Sequence, residues 1–214
     1  LSSSSAASDV YKRQTVNHPH IYSTHINHLN IAIHIHKMNN VAVYDNFLSH
    51  ELYTECYNYA IYKSTSGDMI YKTNHSAWND GIGQDSNRVL IHTIDDTHSL
   101  CKRLKTYMFD KINLPNIHFT DLHFYFFTPE CHMPWNNDSN HDGSITIYLN
   151  PKWNTDWGGA LMYKSLYYKQ INGVYPKQNR AIVITNHTER SVIPTTKFSN
   201  TRMSVQCFFK IIKD

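Results

Sequence analysis

Residues 127–163 read FTPECHMPWNNDSNHDGSITIYLNPKWNTDWGGALMY, and the fold turns on this stretch. It opens at the end of an apolar run, Phe119–Phe127, and holds two more, Ser144–Leu149 and Ala160–Tyr163. Each run has strand length and is rich in β-branched or aromatic side chains. Between them Pro129, Pro134, Asp142-Gly143, Pro151 and Gly158-Gly159 break the chain into turns.

Downstream, two further strands are expected at Arg180–Thr185 and Met203–Lys210. Upstream, Ser49 can cap a helix with Glu51 in its first turn, and Leu52, Cys56, Tyr59, Ala60 and Lys63 follow at helical spacing to about residue 63. Residues 64–87 are polar and read as loop, and Arg88–Ile94 reads as β. A second helix starts at Asp96 or Thr97 and carries Leu100, Leu104, Tyr107 and Met108 on one face. Helices followed by many short strands predict an α+β, mainly β domain, with two N-terminal helices laid on one face of a sandwich or barrel.

Composition excludes several functions. With 214 residues, 41% hydrophobic and a net charge of +3, the chain can bury a core and has no strongly basic balance, so nucleic acid is not an expected partner. No apolar run approaches the roughly 18 residues of a membrane span. Cys56, Cys101, Cys131 and Cys207 lie far apart without a Cys-x-x-Cys, which fits free thiols in a reducing, cytoplasmic compartment. Residues 1–14, LSSSSAASDVYKRQ, resemble a translated adaptor. Residues 15–37 hold six of the 15 histidines and are read as a non-native extension, with Met38 as the natural start and 38–214 as the domain. The rival reading of 15–37 is a His-rich metal-storage or sensor segment.

The order Thr146-Ile147-Tyr148-Leu149-Asn150, Trp153 and Trp157, Gly158-Gly159-Ala160-Leu161, then Pro176–Arg180 before AIVIT, Ser191-Val192-Ile193-Pro194 and Arg202 before MSVQCFF carries a resemblance. Over residues 38–214 the chain resembles the Fe(II)- and 2-oxoglutarate-dependent dioxygenases of the prolyl 4-hydroxylase type, in their small phage and bacterial form. The resemblance implies a double-stranded β-helix, or jelly roll, and hydroxylation of a peptidyl (prolyl-type) or small-molecule substrate with release of succinate and CO2. The implied cofactors are Fe(II), 2-oxoglutarate as co-substrate, and ascorbate. In such sites two imidazoles and one carboxylate hold the metal on one face. Arg202 matches the residue that grips the far carboxylate of 2-oxoglutarate, and Tyr148 the hydroxyl that assists it. Read without the resemblance, Arg202 is a rim arginine and Tyr148 a core aromatic. Trp153 and Trp157 are expected to pack rather than bind substrate.

The metal pattern departs from the family. Asp138 fits the carboxylate, but Asn136 stands at the first histidine position and Arg190 at the second. An amide oxygen is a poor neutral ligand, and arginine offers only donors. His187, three residues before Arg190, is the candidate replacement, although an odd offset on a strand faces the opposite side unless a bulge intervenes. His132 precedes Asn136 by four residues, too far along a strand, and His141 follows Asp138 in a loop. No catalytic residue is expected beyond the metal site. The second reading is therefore a catalytically silent jelly-roll binding module that has lost its metal.

Overall fold

The last strand shows how the chain is layered. Along Arg202-Met-Ser-Val-Gln-Cys-Phe-Phe, side chains alternate between two faces. Met203, Val205, Cys207 and Phe209 enter one apolar core, and Arg202, Ser204, Gln206 and Phe208 line a cavity on the other side.

The structure, a computed structural model, describes residues 40–67, 70–73, 88–112, 114, 116–165 and 170–212. Both readings of the N-terminal segments, 1–14 and 15–37, lie outside these residues. The elements in order are β1 (Val41–Tyr44), α1 (His50–Thr65), β2 (Ile70–Thr73), β3 (Arg88–Thr93), α2 (Ser99–Ile112), β4 (Ile117–Phe127), β5 (Met133–Asn136), β6 (Gly143–Tyr148), β7 (Leu161–Lys164), β8 (Ile171–Val174), β9 (Ala181–Thr185), β10 (Arg190–Val192) and β11 (Arg202–Ile211). A short 3₁₀ turn, Thr155–Trp157, precedes β7.

The described strands form two antiparallel sheets. The larger runs β1-β9-β6-β11-β4-β3-β2 and the smaller β5-β10-β7-β8. The helices cover the outer face of the large sheet: Leu52, Cys56, Ala60, Leu100, Leu104 and Met108 pack on Phe124, Ile145, Ile147 and Val205. Fully burying one of the Leu, Ile, Val, Phe or Met side chains among them stabilises the fold by roughly 1.5–3 kcal/mol. A second core lies between the sheets, with Phe127, Tyr148, Ile182 and Ile184 from the large one and Leu161 and Val192 from the small one. This is the expected jelly-roll layering with two supporting helices. β6 and β9 are buried along their length, because each is covered on both faces.

Local chemistry sets the ends. Ser49 Oγ accepts from Leu52 N at 3.3 Å and starts α1 where expected. The start of α2 differs from expectation. Asp95 accepts from Thr97 N at 2.7 Å and holds residues 95–98 in a turn, which delays the helix to Ser99. The span read as loop, 64–87, contains the end of α1 and β2, and residues 68–69 and 74–87 lie outside the described ones. At Gly143 a Cβ would collide with the Phe209 ring and the Ile184 carbonyl, so only glycine lets β6 pass between β9 and β11. Among the described residues no helix is long and apolar enough to cross a membrane.

Candidate functional site

β10 is an inner strand of the small sheet, paired on one side with β5 and on the other with β7. The register places Arg190 directly opposite Asn136 and Tyr163. Asn136 Nδ2 donates to the Pro134 carbonyl at 3.0 Å and to the Arg190 carbonyl at 3.5 Å, and its buried Oδ1 has no hydrogen-bond partner among the described residues. Beyond Asn136 the chain turns back, with Asp138 at φ 44° and its carbonyl accepting from His141 N at 2.9 Å. That left-handed residue sends the carboxylate against the Arg190 guanidinium, and the two form an ion pair. The Arg190 side chain is 4% exposed and that of Asp138 20%.

The three positions the family pattern assigns to the metal therefore converge in space. Their chemistry does not fit Fe(II). Burial pulls the Arg190 pKa down to about 10, with Tyr125 nearby acting in the opposite direction, so the group stays cationic at neutral pH. A guanidinium has no lone pair for a metal. The Asp138 carboxylate is already engaged, and the Asn136 oxygen is neutral. Among the described residues no three His, Cys, Asp or Glu side chains are grouped to hold a metal ion.

The nearby histidines are occupied elsewhere. His187 sits in a turn at φ 49° with Nε2 3.6 Å from Asp142 Oδ1, and its side chain is half-exposed. Asp142 also accepts from Ile211 N at 2.8 Å, so it ties the turn to the end of β11. His141 stacks on Phe208 with centroids 4.4 Å apart and lies 3.2 Å from Thr120 Oγ1. Burial lowers its pKa below the ordinary imidazole value. His132 is half-buried on the approach to β5.

Arg202 opens β11 and is 2% exposed, which excludes a rim position. Its Nη2 donates to the Tyr148 hydroxyl at 3.2 Å. Its guanidinium carbon lies 4.9 Å from the Phe127 ring centroid and 4.8 Å from that of Tyr148, within cation–π range. Nε is buried, with no hydrogen-bond partner among the described residues. Asn150 fixes the strand start: it accepts from Met203 N at 2.7 Å and donates to the Thr201 carbonyl at 2.8 Å. Trp153 donates to the Gly158 carbonyl at 3.0 Å and meets Trp157 edge-on at 5.3 Å, so both tryptophans pack, as expected. At Gly159, φ 72°, a Cβ would come within 3.0 Å of the Trp153 ring and 3.4 Å of Arg202 Cδ.

Asp138, Arg190 and Arg202 all line one cavity between the sheets, of about 30 Å³. Tyr125, Thr146, Ser204 and Gln206 complete its polar wall and were not singled out from the sequence. The signal for them was the two-residue period of β4, β6 and β11 counted from Phe127, Tyr148 and Arg202.

Comparison with known proteins agrees with this layout. Residues 118–210 match the 2OG-Fe(II) oxygenase superfamily. No curated protein matches the chain. Among solved structures, a Pseudomonas putida prolyl-4-hydroxylase is 16% identical with TM-score 0.65, covering 86% of this chain and all (100%) of that one. A Trichoplax adhaerens prolyl hydroxylase, in complex with a hypoxia inducible factor oxygen degradation domain peptide fragment, is 19% identical with TM-score 0.66 and coverages of 85% and 88%. The non-heme alpha ketoglutarate dependent epimerase SnoN of nogalamycin biosynthesis is 8% identical with TM-score 0.65 and coverages of 86% and 82%. At these identities the likeness shows the fold. Residues 118–210 thus resemble the 2OG-Fe(II) oxygenase superfamily and the fold is similar to that of prolyl 4-hydroxylases, while Asn136 and Arg190 stand at the two positions that the family pattern gives to histidine.

Proposed function

We propose, from the family match of residues 118–210, that this chain is built for 2-oxoglutarate- and Fe(II)-dependent hydroxylation of a peptidyl, prolyl-type, or small-molecule substrate, with succinate and CO2 as products. With Asn136 and Arg190 in place, iron is held weakly and turnover is slow or nil.

One observation carries the reading: a buried guanidinium with a free Nε, set beside the Tyr148 hydroxyl at the head of β11. In this role Arg202 takes the far carboxylate of 2-oxoglutarate with charge-assisted hydrogen bonds, and Tyr148 adds a hydroxyl donor. Phe127 and Leu161 add apolar surface to the same cavity. Fe(II) and ascorbate belong to the chemistry that the family resemblance implies, and Asn136 and Arg190 leave this chain poorly equipped to hold the metal. Both substrate classes stay in the proposal, because the structures of similar fold include a peptide complex and an epimerase of nogalamycin biosynthesis. Four free, buried cysteines fit a cytoplasmic setting, and a small phage or bacterial form fits the motif order.

The second reading, a silent binding module, starts from the Arg190–Asp138 pair, which stands in the place of two ligands. Succinate formation from 2-oxoglutarate and Fe(II), with a proline-containing peptide present, separates the two. The Asn136→His, Arg190→His double variant is expected to release succinate while the unaltered chain releases little. A double variant that holds iron and still forms no succinate would contradict the oxygenase reading.

A further inference from the structure

Two arginines are nearly fully buried against one cavity, Arg190 at 4% and Arg202 at 2% exposure. Asp138 is the single carboxylate among the described residues lining it. Among the described residues, two guanidinium charges against one carboxylate leave one positive charge without a counter-ion. A buried unpaired charge is costly, and protein interiors pair such charges or bind a ligand that does. Among the described residues Arg202 meets the ring faces of Phe127 and Tyr148 and the neutral Tyr148 hydroxyl, and its Nε finds no hydrogen-bond partner. Asn136 Oδ1 is likewise buried and unpartnered beside Arg190. Thr146, Ser204 and Gln206 add neutral polar groups to the wall.

We propose that this cavity is a metal-independent carboxylate site, with Arg190 supplying the cation on one wall and Arg202 the cation on the other. The proposal rests on the assignment of Arg202 to the 2-oxoglutarate carboxylate. It goes further in making the second cation a protein side chain. Arg190 then replaces the metal's charge as well as its ligand. Asp138 holds Arg190 in place and competes with the incoming anion for it. The cavity, about 30 Å³, has room for about two water-sized centres, which suits the two oxygens of one carboxylate. A longer acid needs a lining side chain to yield, and Met133 is the unbranched, flexible one.

The test is calorimetry on the full chain in EDTA, titrated separately with acetate, succinate and 2-oxoglutarate. At least one acid is expected to bind, with affinity changed by no more than about twofold when Mn(II) replaces EDTA. Asp138→Asn, which frees Arg190, is expected to tighten that binding about tenfold, and Arg190→Gln to weaken it about tenfold. If binding appears only with Mn(II), or is lost in Asp138→Asn, the metal holds the ligand through Asp138; the inference then falls and the oxygenase reading stands. If no acid binds with or without metal, the inference and the assignment of Arg202 fall together. The EDTA and Mn(II) titrations of the unaltered chain decide the matter even if a variant fails to fold.

Discussion

Arg190 and Asn136 face each other directly across β10 and β5, at the two positions the family pattern gives to histidine. The strand pairing sets these two positions side by side, and they carry a guanidinium and an amide. The same turn brings the Asp138 carboxylate to the pair, where it meets a guanidinium. The site thus keeps the placement of a two-histidine, one-carboxylate face with side chains unable to form one.

The ion pair should matter to folding. Removing one partner of a buried pair leaves the other charge uncompensated, which costs about 3–5 kcal/mol. Asp138 is one-fifth exposed, so Asp138→Ala is expected near the lower end of that range in urea unfolding. Asp138→Asn with Arg190→Met removes both charges and should recover most of the loss. A neutral Asp138→Ala would mean that water already serves Arg190.

Arg202→Ala should weaken 2-oxoglutarate binding by about 2–3 kcal/mol, the scale of a lost charged hydrogen-bond pair. Arg202→Lys should recover only part, because an ammonium cannot offer the two parallel donors. Calorimetry checks both, and unchanged affinity in Arg202→Ala would move the carboxylate site away from the head of β11.

His141 gives the fold a pH dependence of known sign. Burial against Phe208 lowers its folded pKa, so the folded state favours the neutral ring. Above the ordinary value of 6.5 both states are neutral and nothing is lost. As pH falls below 6.5 the unfolded chain takes up the proton first, and stability declines until the folded pKa is passed. His141→Gln should flatten that part of the urea-midpoint profile between pH 7 and 5. An unchanged slope would assign it to other groups.

The four cysteines should be inert in the native protein. All are free and fully buried, and burial pushes the thiols of Cys56 and Cys131 up to about 12 and that of Cys101 to about 11. A thiol-specific chromogenic reagent at pH 8 is expected to react only as the chain unfolds, and then with all four. Fast labelling of any one in native buffer would show that its wall opens.

Much of this was legible beforehand because it depends on local pattern. The strand at Met203–Lys210, the Ser49 cap and the helical spacing of Leu52, Cys56 and Ala60 all read correctly from neighbours in the chain. β5 and β10 did not, since four and three residues carry little periodicity and each exists only through its partner. The motif order was enough to put Asn136, Asp138 and Arg190 at one site. Their ion pair was not visible, because it depends on Asp138 adopting a positive φ and on a cross-strand register that spacing alone does not fix. His187 was weighed as a replacement ligand on offset alone, and its contact with Asp142 comes from a turn that the offset cannot describe.

Anaerobic Fe(II) titration of the unaltered chain against the Asn136→His, Arg190→His variant measures the replacement of the metal site most directly. Each single variant should bind little, because Arg190 would still place a cation beside the metal and Asn136 would still be a weak ligand. The double variant is expected to take up iron close to stoichiometrically, and to lose it again when Asp138→Ala is added. The unaltered chain is expected to retain no more than a trace after desalting. Tight iron binding by the unaltered chain, persisting in Asp138→Ala, would contradict the replacement outright and place the metal on residues other than these three.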